Sequence, residues 1–361
     1  MNLERLKALS SIAAASGYED EIIRYTRAEM QRFAQNVQTD RLGNLIAHLP
    51  GAQSQPSKPV MIFAHMDELG FIVRKIDEDG FIRLDRLGGI PERTAPARPM
   101  IVSGAKGPVL GVIGNKAHHF TPPDEKFKVL AVKDLYFDVG AKSRQEILDL
   151  GISVGDPVTY MPFFHVYGDT VMAKSIDNRA GVEVLLSTME KLAGLSHQRD
   201  VYFVATVQEE FNLRGIIPVY AAVQPEIAIA IDVVVACDTP DLKGVSDTIQ
   251  GAGPAISRYT FHGRGTLGGL IPNPTLVEAV IDTANNHAIP YQKNVSMGLL
   301  TDASFLQLEG EGIYCLDLGI PTRYTHAPIE TASISDIDHL IDLLAAFLSE
   351  MPVELDLHRG Q

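Results

Sequence analysis

Residues 200–215 read DVYFVATVQEEFNLRG, a run of strand-forming residues that ends in two adjacent glutamates, Glu209 and Glu210. The apolar run over 200–207 predicts a buried strand. At the tip of such a strand two adjacent carboxylates repel each other, and one retains its proton unless a positive group lies nearby. The stretch therefore predicts a buried sheet with a positive group at its edge.

The segments around this strand alternate between helical and strand patterns. Residues 178–193 predict a helix before it and residues 214–223 a helix after it, while VMIFAHMD at 60–67 and EIAIAID at 226–232 are short apolar runs typical of buried strands. Such alternation indicates parallel strands joined by helical crossovers, so we expect an α/β fold. Further elements are predicted at 3–12 and 22–33 (helices), 255–260 and 313–320 (strands), and 274–287 and 333–350 (helices).

Residues 70–165 have a different pattern. Short β-type runs such as FIVRKID, FIRLDRL and PVLGVIGNK are separated by Gly and Pro, and one helix is predicted near 143–150. This pattern indicates a β-rich insertion inside the α/β domain. The predicted division is 1–69 and 166–361 for the α/β domain and 70–165 for the insertion.

Composition excludes several kinds of partner. The formal net charge of -14 disfavours nucleic acid and anionic membrane surfaces, because both need clustered Lys and Arg. No segment approaches the roughly 20 apolar residues of a membrane span. The two cysteines, Cys237 and Cys315, lie in apolar runs, which suits buried thiols in a reducing compartment. We therefore expect a cytoplasmic protein.

Residues able to bind a metal ion follow the predicted strands at four places. In an open α/β sheet, the carboxyl ends of the parallel strands face a common crevice where functional side chains collect. One further aspartate, Asp177, precedes the predicted helix at 178–193. The candidates at the strand ends are His65 and Asp67, Glu209 and Glu210, Asp232, and His326.

Each candidate taken alone also has a simple structural interpretation. Asp177 could cap the helix that follows it, Asp232 could belong to a turn, and His326 could be an ordinary surface histidine. His118 and His119 lie in a polar loop and are not expected to be ligands. The two adjacent glutamates, however, need a compensating cation, which favours a shared role for the set.

A site with two divalent ions accounts for the pattern. Imidazole and carboxylate ligands favour zinc, cobalt or manganese over thiolate-seeking ions. Two such ions need a bridging carboxylate and about two further ligands each, and they share a water whose pKa is lowered toward neutrality. Asp177 is then the bridge; His65 and Asp232 bind one ion, and Glu210 and His326 bind the other.

Glu209 is left over by this count. Beside the ions but not bound to them, Glu209 is predicted to be the general base that takes a proton from the shared water. Adjacent strand residues point to opposite faces, so this assignment requires the strand to end before Glu209. Asp67 is predicted to accept a hydrogen bond from the His65 imidazole and to orient it.

Five segments resemble, in order and spacing, the motifs of the M42 family of co-catalytic metallo-aminopeptidases, which includes glutamyl and tetrahedral aminopeptidases. The segments are AHMDELGFIV, AKSIDNRAGVEVLL, VQEEFNLRG, IAIDV and PTRYTHAPIE, and the resemblance runs from about residue 3 to 350. The resemblance implies the same metal ligands and the same general base as the count above. It also implies that the enzyme removes N-terminal residues from short peptides with two divalent ions, zinc being favoured.

The resemblance implies a fold and an assembly as well. We expect a phosphorylase/hydrolase-like α/β catalytic domain, with a mixed sheet and helices on both faces, interrupted by a β-rich dimerisation domain. Self-association into dimers, or into dodecameric tetrahedra built from them, is expected.

Two segments depart from the family pattern. Leu299 and Leu300 precede the TDA sequence where the family commonly has a glycine pair, and Phe211 and Asn212 follow the glutamates where Val-Gly is usual. None of these residues is a predicted ligand. Both departures are therefore expected to affect the substrate pocket.

Other activities stay open on the sequence alone. A deacylase or carboxypeptidase-like hydrolase could use the same ions, with Arg323 as the candidate to hold a substrate carboxylate. A glycosidase could use two carboxylates, but the chain has no Trp and an aromatic content of 7%, which is a poor supply of sugar-stacking surfaces. An inactive assembly protein is the remaining alternative.

Overall fold

The computed structural model describes residues 1–52, 58–263 and 268–360, in which twelve strands form one large sheet and six form a closed barrel. In chain order the strands are β1 (Val37–Thr39), β2 (Leu45–Leu49), β3 (Val60–His65), β4 (Gly70–Ile76), β5 (Ile82–Leu87), β6 (Pro99–Gly104), β7 (Gly107–Ile113), β8 (Phe137–Asp138), β9 (Pro157–Tyr160), β10 (Phe164–Tyr167), β11 (Thr170–Ala173), β12 (Val201–Thr206), β13 (Ile227–Val235), β14 (Ala255–Phe261), β15 (Gly269–Leu270), β16 (Gln292–Met297), β17 (Tyr314–Arg323) and β18 (Glu330–Ser333). The α-helices are α1 (Leu3–Ser11), α2 (Asp20–Met30), α3 (Arg144–Asp149), α4 (Ile176–Ala193), α5 (Ile216–Val223), α6 (Pro274–Asn286), α7 (Ala303–Leu306) and α8 (Ile334–Glu350).

The centre of the large sheet consists of the parallel strands β12, β3, β13 and β17. Antiparallel strands extend it on both sides, β2 and β1 beyond β12, and β18, β11 and β10 beyond β17. Every residue of β3 is buried, as its unbroken apolar sequence predicts for a strand covered on both faces. The sheet is therefore mixed, with a parallel core.

Helices cover both faces of this sheet. Helices α1, α2, α4, α6 and α8 contribute to the larger apolar core on one face, and α5 and α7 pack in a smaller core on the other. This arrangement confirms the predicted α/β class with helices on both faces. Within the described part of the chain, none of the helices combines the length and apolar character needed to cross a membrane.

The barrel is closed in the order β4-β5-β8-β7-β6-β9 and has an apolar core of its own. Its strands span Gly70–Tyr160, inside the predicted insertion. The last residues of that prediction, Phe164 and His165, belong instead to β10, which pairs with β11 in the large sheet. The chain thus enters the barrel directly after β3 and returns to the sheet through β10.

The predicted elements match the structure except at some ends. Strand β13 was expected to end at Asp232 but continues to Val235, because its ladder with β17 extends to Val235 whereas its ladder with β3 stops at Ala230. Strand β16 was not predicted, since its sequence QKNVSM lacks an apolar run. Asp232 therefore lies within a strand, just beyond the last residue of that strand that pairs with β3.

Candidate metal centre

Three adjacent parallel strands bring several candidate residues to one edge of the sheet. His65 is the last residue of β3 and pairs with Thr206 at the end of β12. Asp232 lies on the other side of β3, in the part of β13 beyond their shared ladder. Because parallel strands end at the same edge, the side chains that follow them meet in one crevice.

Asp177 lies between the two candidate histidines. Its Oδ1 is 3.2 Å from Nε2 of His65, and its Oδ2 is 3.6 Å from Nε2 of His326. The helix-cap interpretation does not hold, because Asp177 and Asn178 have non-helical backbone angles and Oδ1 of Asn178 accepts the N–H of Gly181. The Asp177 carboxylate thus presents one oxygen toward each imidazole.

The remaining candidates surround these three residues. Asp232 Oδ1 and Glu209 Oε2 each lie 3.9 Å from Nε2 of His65, and Glu210 Oε2 lies 3.9 Å from Nε2 of His326. The structure therefore brings the predicted residues into one cluster. Two sets of three ligand-type atoms lie within 4.8 Å of one another, those of His65, Asp177 and Glu210 and those of His65, Glu209 and Asp232.

Asp67 holds the glutamate pair through its main-chain amides. Its Oδ1 accepts the N–H of Glu209 at 3.0 Å, and its Oδ2 accepts the N–H of Glu210 at 3.1 Å and the hydroxyl of Ser16 at 2.6 Å. Burial raises the pKa of Asp67, but these donors and the His65 imidazole outweigh it and lower the pKa. His65 Nδ1 lies 3.4 Å from Asp67 Oδ1, and in the described part of the chain it has no hydrogen-bond partner of good geometry. Asp67 thus positions the glutamates in addition to facing the imidazole.

The glutamate pair lies in a turn. Strand β12 ends at Thr206, and Gln208 has a left-handed φ of 57°. The alternation of strand side chains therefore does not force Glu209 and Glu210 to opposite faces. Glu19 supports this turn, because its Oε1 accepts the N–H of Gln208 at 3.1 Å.

His326 is held by the rim of the barrel. Its Nδ1 lies 3.0 Å from the carbonyl oxygen of Gly89, to which the Nδ1–H tautomer donates. This hydrogen bond leaves Nε2 as the atom that can bind a metal ion. Burial lowers the pKa of His326, but the carboxylates of Glu210 and Asp177 outweigh it and raise the pKa to about 9.

Two further buried carboxylates belong to the site although sequence reasoning gave them no role. Glu330 accepts the N–H of Asp177 at 2.9 Å and the N–H of His326 at 2.7 Å, one with each oxygen. Asp302 accepts the hydroxyl of Thr206 at 2.9 Å, and burial raises its pKa to about 7. The sequence signal was weak: Glu330 ends the quoted PTRYTHAPIE segment and Asp302 lies in the TDA segment, but nothing in either motif shows which main-chain groups they meet.

Burial and mutual repulsion shift the proton affinities of the cluster. Burial raises the pKa of Glu209 and of Asp232 well above their usual values, with neighbouring carboxylates adding to both shifts. Burial also raises the pKa of Glu210 to about 7. For His65 burial lowers the pKa, but Glu209 and other carboxylates outweigh it and hold the pKa well above its usual value. The site therefore concentrates negative charge that a cation would stabilise.

The donor atoms fit divalent metal ions. Imidazole nitrogens and carboxylate oxygens suit zinc, cobalt and manganese. Oε1 of Glu210 is buried and has no hydrogen-bond partner among the described residues. This oxygen is therefore free to bind a cation. Asp177, with an oxygen toward each histidine, has the position of a bridging ligand.

The other sequence candidates lie outside the cluster. His118 and His119 are exposed on a short 3-10 helix of the insertion. Arg323, the candidate for a substrate carboxylate, forms a two-point ion pair with Asp238 at 2.7 and 2.6 Å. Its guanidinium is therefore already neutralised, which disfavours the carboxypeptidase-like alternative.

A cleft of about 730 Å³ opens over the cluster. One wall is the barrel rim from Asp85 to Pro91, and the others are the turn after β12 and the loop between β16 and α7. Phe211 and Asn212 line the cleft, as do Leu299 and Leu300. The positions that depart from the family pattern therefore lie where a substrate would bind.

The α/β fold with its barrel insertion and this carboxylate–histidine cluster define a class, the metal-dependent hydrolases. The comparison with known families is specific: the family described as M42 glutamyl aminopeptidase matches residues 43–343. The chain belongs to the M42 aminopeptidase family and is a hydrolase of peptide bonds.

Three relatives illustrate this similarity. SgcX of Escherichia coli K12 is 42% identical over 358 residues, 98% of this chain and 96% of SgcX. Aminopeptidase APDkam598 from the archaeon Desulfurococcus kamchatkensis has 36% identity and a TM-score of 0.90, covering 96% of this chain and 94% of that protein. The TET1 peptidase of Pyrococcus horikoshii, which can assemble into a tetrahedron or a large octahedral shell, has 30% identity and a TM-score of 0.84, with coverages of 96% and 99%.

Proposed function

We propose that this protein is an aminopeptidase that uses two divalent metal ions to remove N-terminal residues from short peptides. The observation that carries the proposal is the position of Asp177, which presents one carboxylate oxygen to His65 and the other to His326. A carboxylate shared between two imidazoles is the arrangement that a pair of ions about 3.5–4 Å apart requires.

The ligand assignment follows from the contacts around each histidine. His65 and Asp232 would hold one ion, and Glu210 and His326 the other, with Asp177 between them. When bound, the ions would lower the pKa of a water and polarise the scissile carbonyl. Zinc is the proposed metal, with cobalt or manganese as alternatives, because imidazole nitrogens together with carboxylate oxygens are a common ligand set for zinc.

Glu209 has the position of the general base. Its Oε2 lies within the cluster. Its main-chain N–H donates a hydrogen bond to Asp67, which holds the backbone of Glu209 in place. Its carboxylate is buried beside the proposed ligands, where it would be within reach of a water shared by the ions. Glu209 would take a proton from the attacking water and deliver it to the leaving amine.

The negative charge of the cluster also favours a free N-terminus as the group that is recognised. A protonated amine is attracted by carboxylates that are shielded from water. Peptides with an acetylated N-terminus lack this charge, so we expect them to resist cleavage. Equal rates for blocked and free peptides would instead indicate an endopeptidase or a deacylase.

The insertion is proposed to mediate self-association. The barrel, within residues 70–165, has its own core and exposes apolar side chains such as Leu110 and Val112 on β7. The TET1 peptidase of similar fold assembles into shells, which supports dimers or dodecamers here. A cytoplasmic location stays a prediction, to which the free, buried thiols of Cys237 and Cys315 are suited.

The two adjacent glutamates allow a matched test of this mechanism. After metal reconstitution, Glu209→Gln should retain its metal content and lose about 10²- to 10⁴-fold in kcat on aminoacyl chromogenic substrates, as expected for removal of a general base. Glu210→Gln should lose metal affinity as well as activity. An active Glu209→Gln protein, or the same metal loss in both variants, would remove the proposed roles.

A further inference from the structure

Leu299 separates two spaces in the protein. It lies in the loop between β16 and α7, where it lines the main cleft together with Leu300 and Met297. It also lines a smaller internal cavity next to Asp232, one of the proposed metal ligands. Leu300 and Met297 line only the cleft. The Leu299 side chain is therefore a partition between the cleft and the internal cavity.

The internal cavity is small, and its exposed lining is mostly apolar, with a few buried polar groups in its wall. Asp317 lines it, and this buried carboxylate accepts the hydroxyl of Thr301 at 2.8 Å. Ser257 lines it as well, and its buried Oγ has no hydrogen-bond partner among the described residues. The cavity has a volume of about 20 Å³, room for about one water molecule. A buried anion and an unpaired hydroxyl would favour a cationic or hydrogen-bonding group if the space were accessible.

The cleft on the near side of Leu299 is far larger than the internal cavity. Leu299, Leu300, Met297 and Val235 give it an apolar wall. Apart from the proposed ligands and base, the charged residues that line it within the described chain are Asp85 and Arg86, both on the barrel rim. Arg86 already pairs with Glu92 at 3.0 Å. The wall next to the internal cavity therefore offers a substrate side chain apolar contacts.

The position of the metal centre decides which part of a substrate meets this wall. In an aminopeptidase the scissile bond follows the first residue, so that residue alone must fit between the reacting centre and the closed end of the cleft. Its side chain is therefore held by groups adjacent to the ligands. Leu299 is such a group, since it shares a cavity with Asp232.

We propose that Leu299 determines specificity, closing the pocket for the N-terminal side chain so that the enzyme prefers apolar residues such as Leu and Met and excludes Lys and Arg from Asp317. This inference rests on the proposed aminopeptidase function. Shortening Leu299 would join the two spaces and let a basic side chain reach the buried carboxylate.

The test is a comparison of kcat/KM for Leu-, Met-, Lys- and Arg-p-nitroanilide with the metal-restored enzyme. The wild type should favour Leu and Met by about 10-fold or more. Leu299→Gly should raise the ratio of Lys to Leu activity by about 10- to 100-fold, and Leu299→Ala by less. Adding Asp317→Asn to Leu299→Gly should reverse the gain for Lys.

Leu300→Gly is the matched control. It removes the same type of side chain from the same loop, but Leu300 lines the cleft and not the internal cavity. We expect it to change the Lys and Leu rates by similar factors. A wild type that prefers Lys or Arg, or an equal Lys-to-Leu ratio in the Leu299 and Leu300 variants, would overturn the inference while leaving the aminopeptidase assignment intact. Absence of turnover with all four substrates would also overturn the inference, and absence of turnover with Glu-p-nitroanilide as well would overturn the proposed function itself. If Leu299→Gly does not fold, Leu299→Ala decides by the direction of its shift.

Discussion

At the carboxyl edge of the large sheet, seven carboxylates and two histidines lie together and are mostly buried, whereas the barrel core is built from apolar side chains. The barrel keeps its ion pairs at the surface, for example Asp77 with Lys75 and Arg83. Burying like charges together is unfavourable unless a cation compensates them, while an apolar core is stable by itself. The sheet edge is therefore suited to binding a ligand, and the barrel to supporting the fold.

The largest expected effect is the loss of metal-induced stability at the sheet edge. A ligand present at 100 times its Kd raises the free energy of unfolding by about 2.7 kcal/mol per site, so zinc should stabilise the metal-free wild type by at least this amount. Asp177→Asn removes a charge that faces both histidines and should abolish most of the stabilisation and the activity. Thermal unfolding with and without zinc measures the effect.

Asp85→Asn is the control for that experiment. Asp85 lines the cleft on the barrel rim but lies outside the cluster. The control should keep the full stabilisation by zinc. Equal responses of the two variants would show that the cluster is not where the metal acts.

A second effect should come from Glu330, which accepts hydrogen bonds from two main-chain amides of the site. Glu330→Ala removes the acceptor shared by the N–H groups of Asp177 and His326 and should weaken metal binding by about 10- to 100-fold in calorimetric titration. Asp336→Ala is matched to it, because Asp336 is also buried and accepts two main-chain amides, those of Gly251 and Gly253 at 2.7 Å each. The control should lose stability without losing metal affinity; similar affinities in both variants would contradict a positioning role for Glu330.

A third, smaller effect tests the hydrogen bond between His326 and the carbonyl of Gly89 on the barrel rim. A Cβ added at Gly89 would lie 3.0 Å from Nδ1 of His326, so Gly89→Ala should displace the imidazole by a few tenths of an ångström. We expect about a 10-fold fall in kcat/KM with little change in unfolding. Gly194→Ala, where the nearest atom is 3.5 Å from the new Cβ, should leave the rate unchanged. An unchanged kcat/KM in Gly89→Ala would show that this contact of the barrel rim with His326 does not affect catalysis.

The smallest effect should be a pH dependence confined to the barrel. Hydrogen bonds from Lys75 and Arg83 lower the pKa of Asp77 below its ordinary value. A carboxyl whose pKa is lowered in the folded state stabilises the protein when the pH is above its unfolded-state pKa of about 4. This stabilisation is lost as the pH falls through the folded-state pKa. Asp77→Asn should therefore reduce the free energy of unfolding by less than about 1 kcal/mol at pH 7, and by less still near pH 3. A difference in free energy of unfolding between Asp77→Asn and the wild type that grows as the pH falls would contradict the lowered pKa of Asp77.

The sequence was sufficient for the parts of the molecule that follow from local pattern. The apolar runs ending at His65 and Thr206 indicated the central strands, and the polar residues after them indicated the cluster. The turn at Gln208 also agrees with the condition set for Glu209. The roles assigned to these residues stay predictions until metal binding is measured.

What the sequence missed depends on contacts between distant segments. Glu330 acts through amides 153 and 4 residues away, and no spacing rule identifies such a partner. The position of Asp232 inside β13 depends on which neighbouring strand ends first. The carbonyl of Gly89 contacts His326 although the two residues are 237 positions apart, and a main-chain carbonyl leaves no signal in the sequence. These features are fixed by tertiary packing.

The proposed site would hold two ions at the sheet edge with Asp177 between them. Anomalous diffraction from zinc-loaded crystals tests this arrangement directly. We expect two peaks roughly 3.5–4 Å apart, one beside His65 and Asp232 and one beside Glu210 and His326. A single peak, an empty cluster, or zinc bound elsewhere on the chain would contradict it.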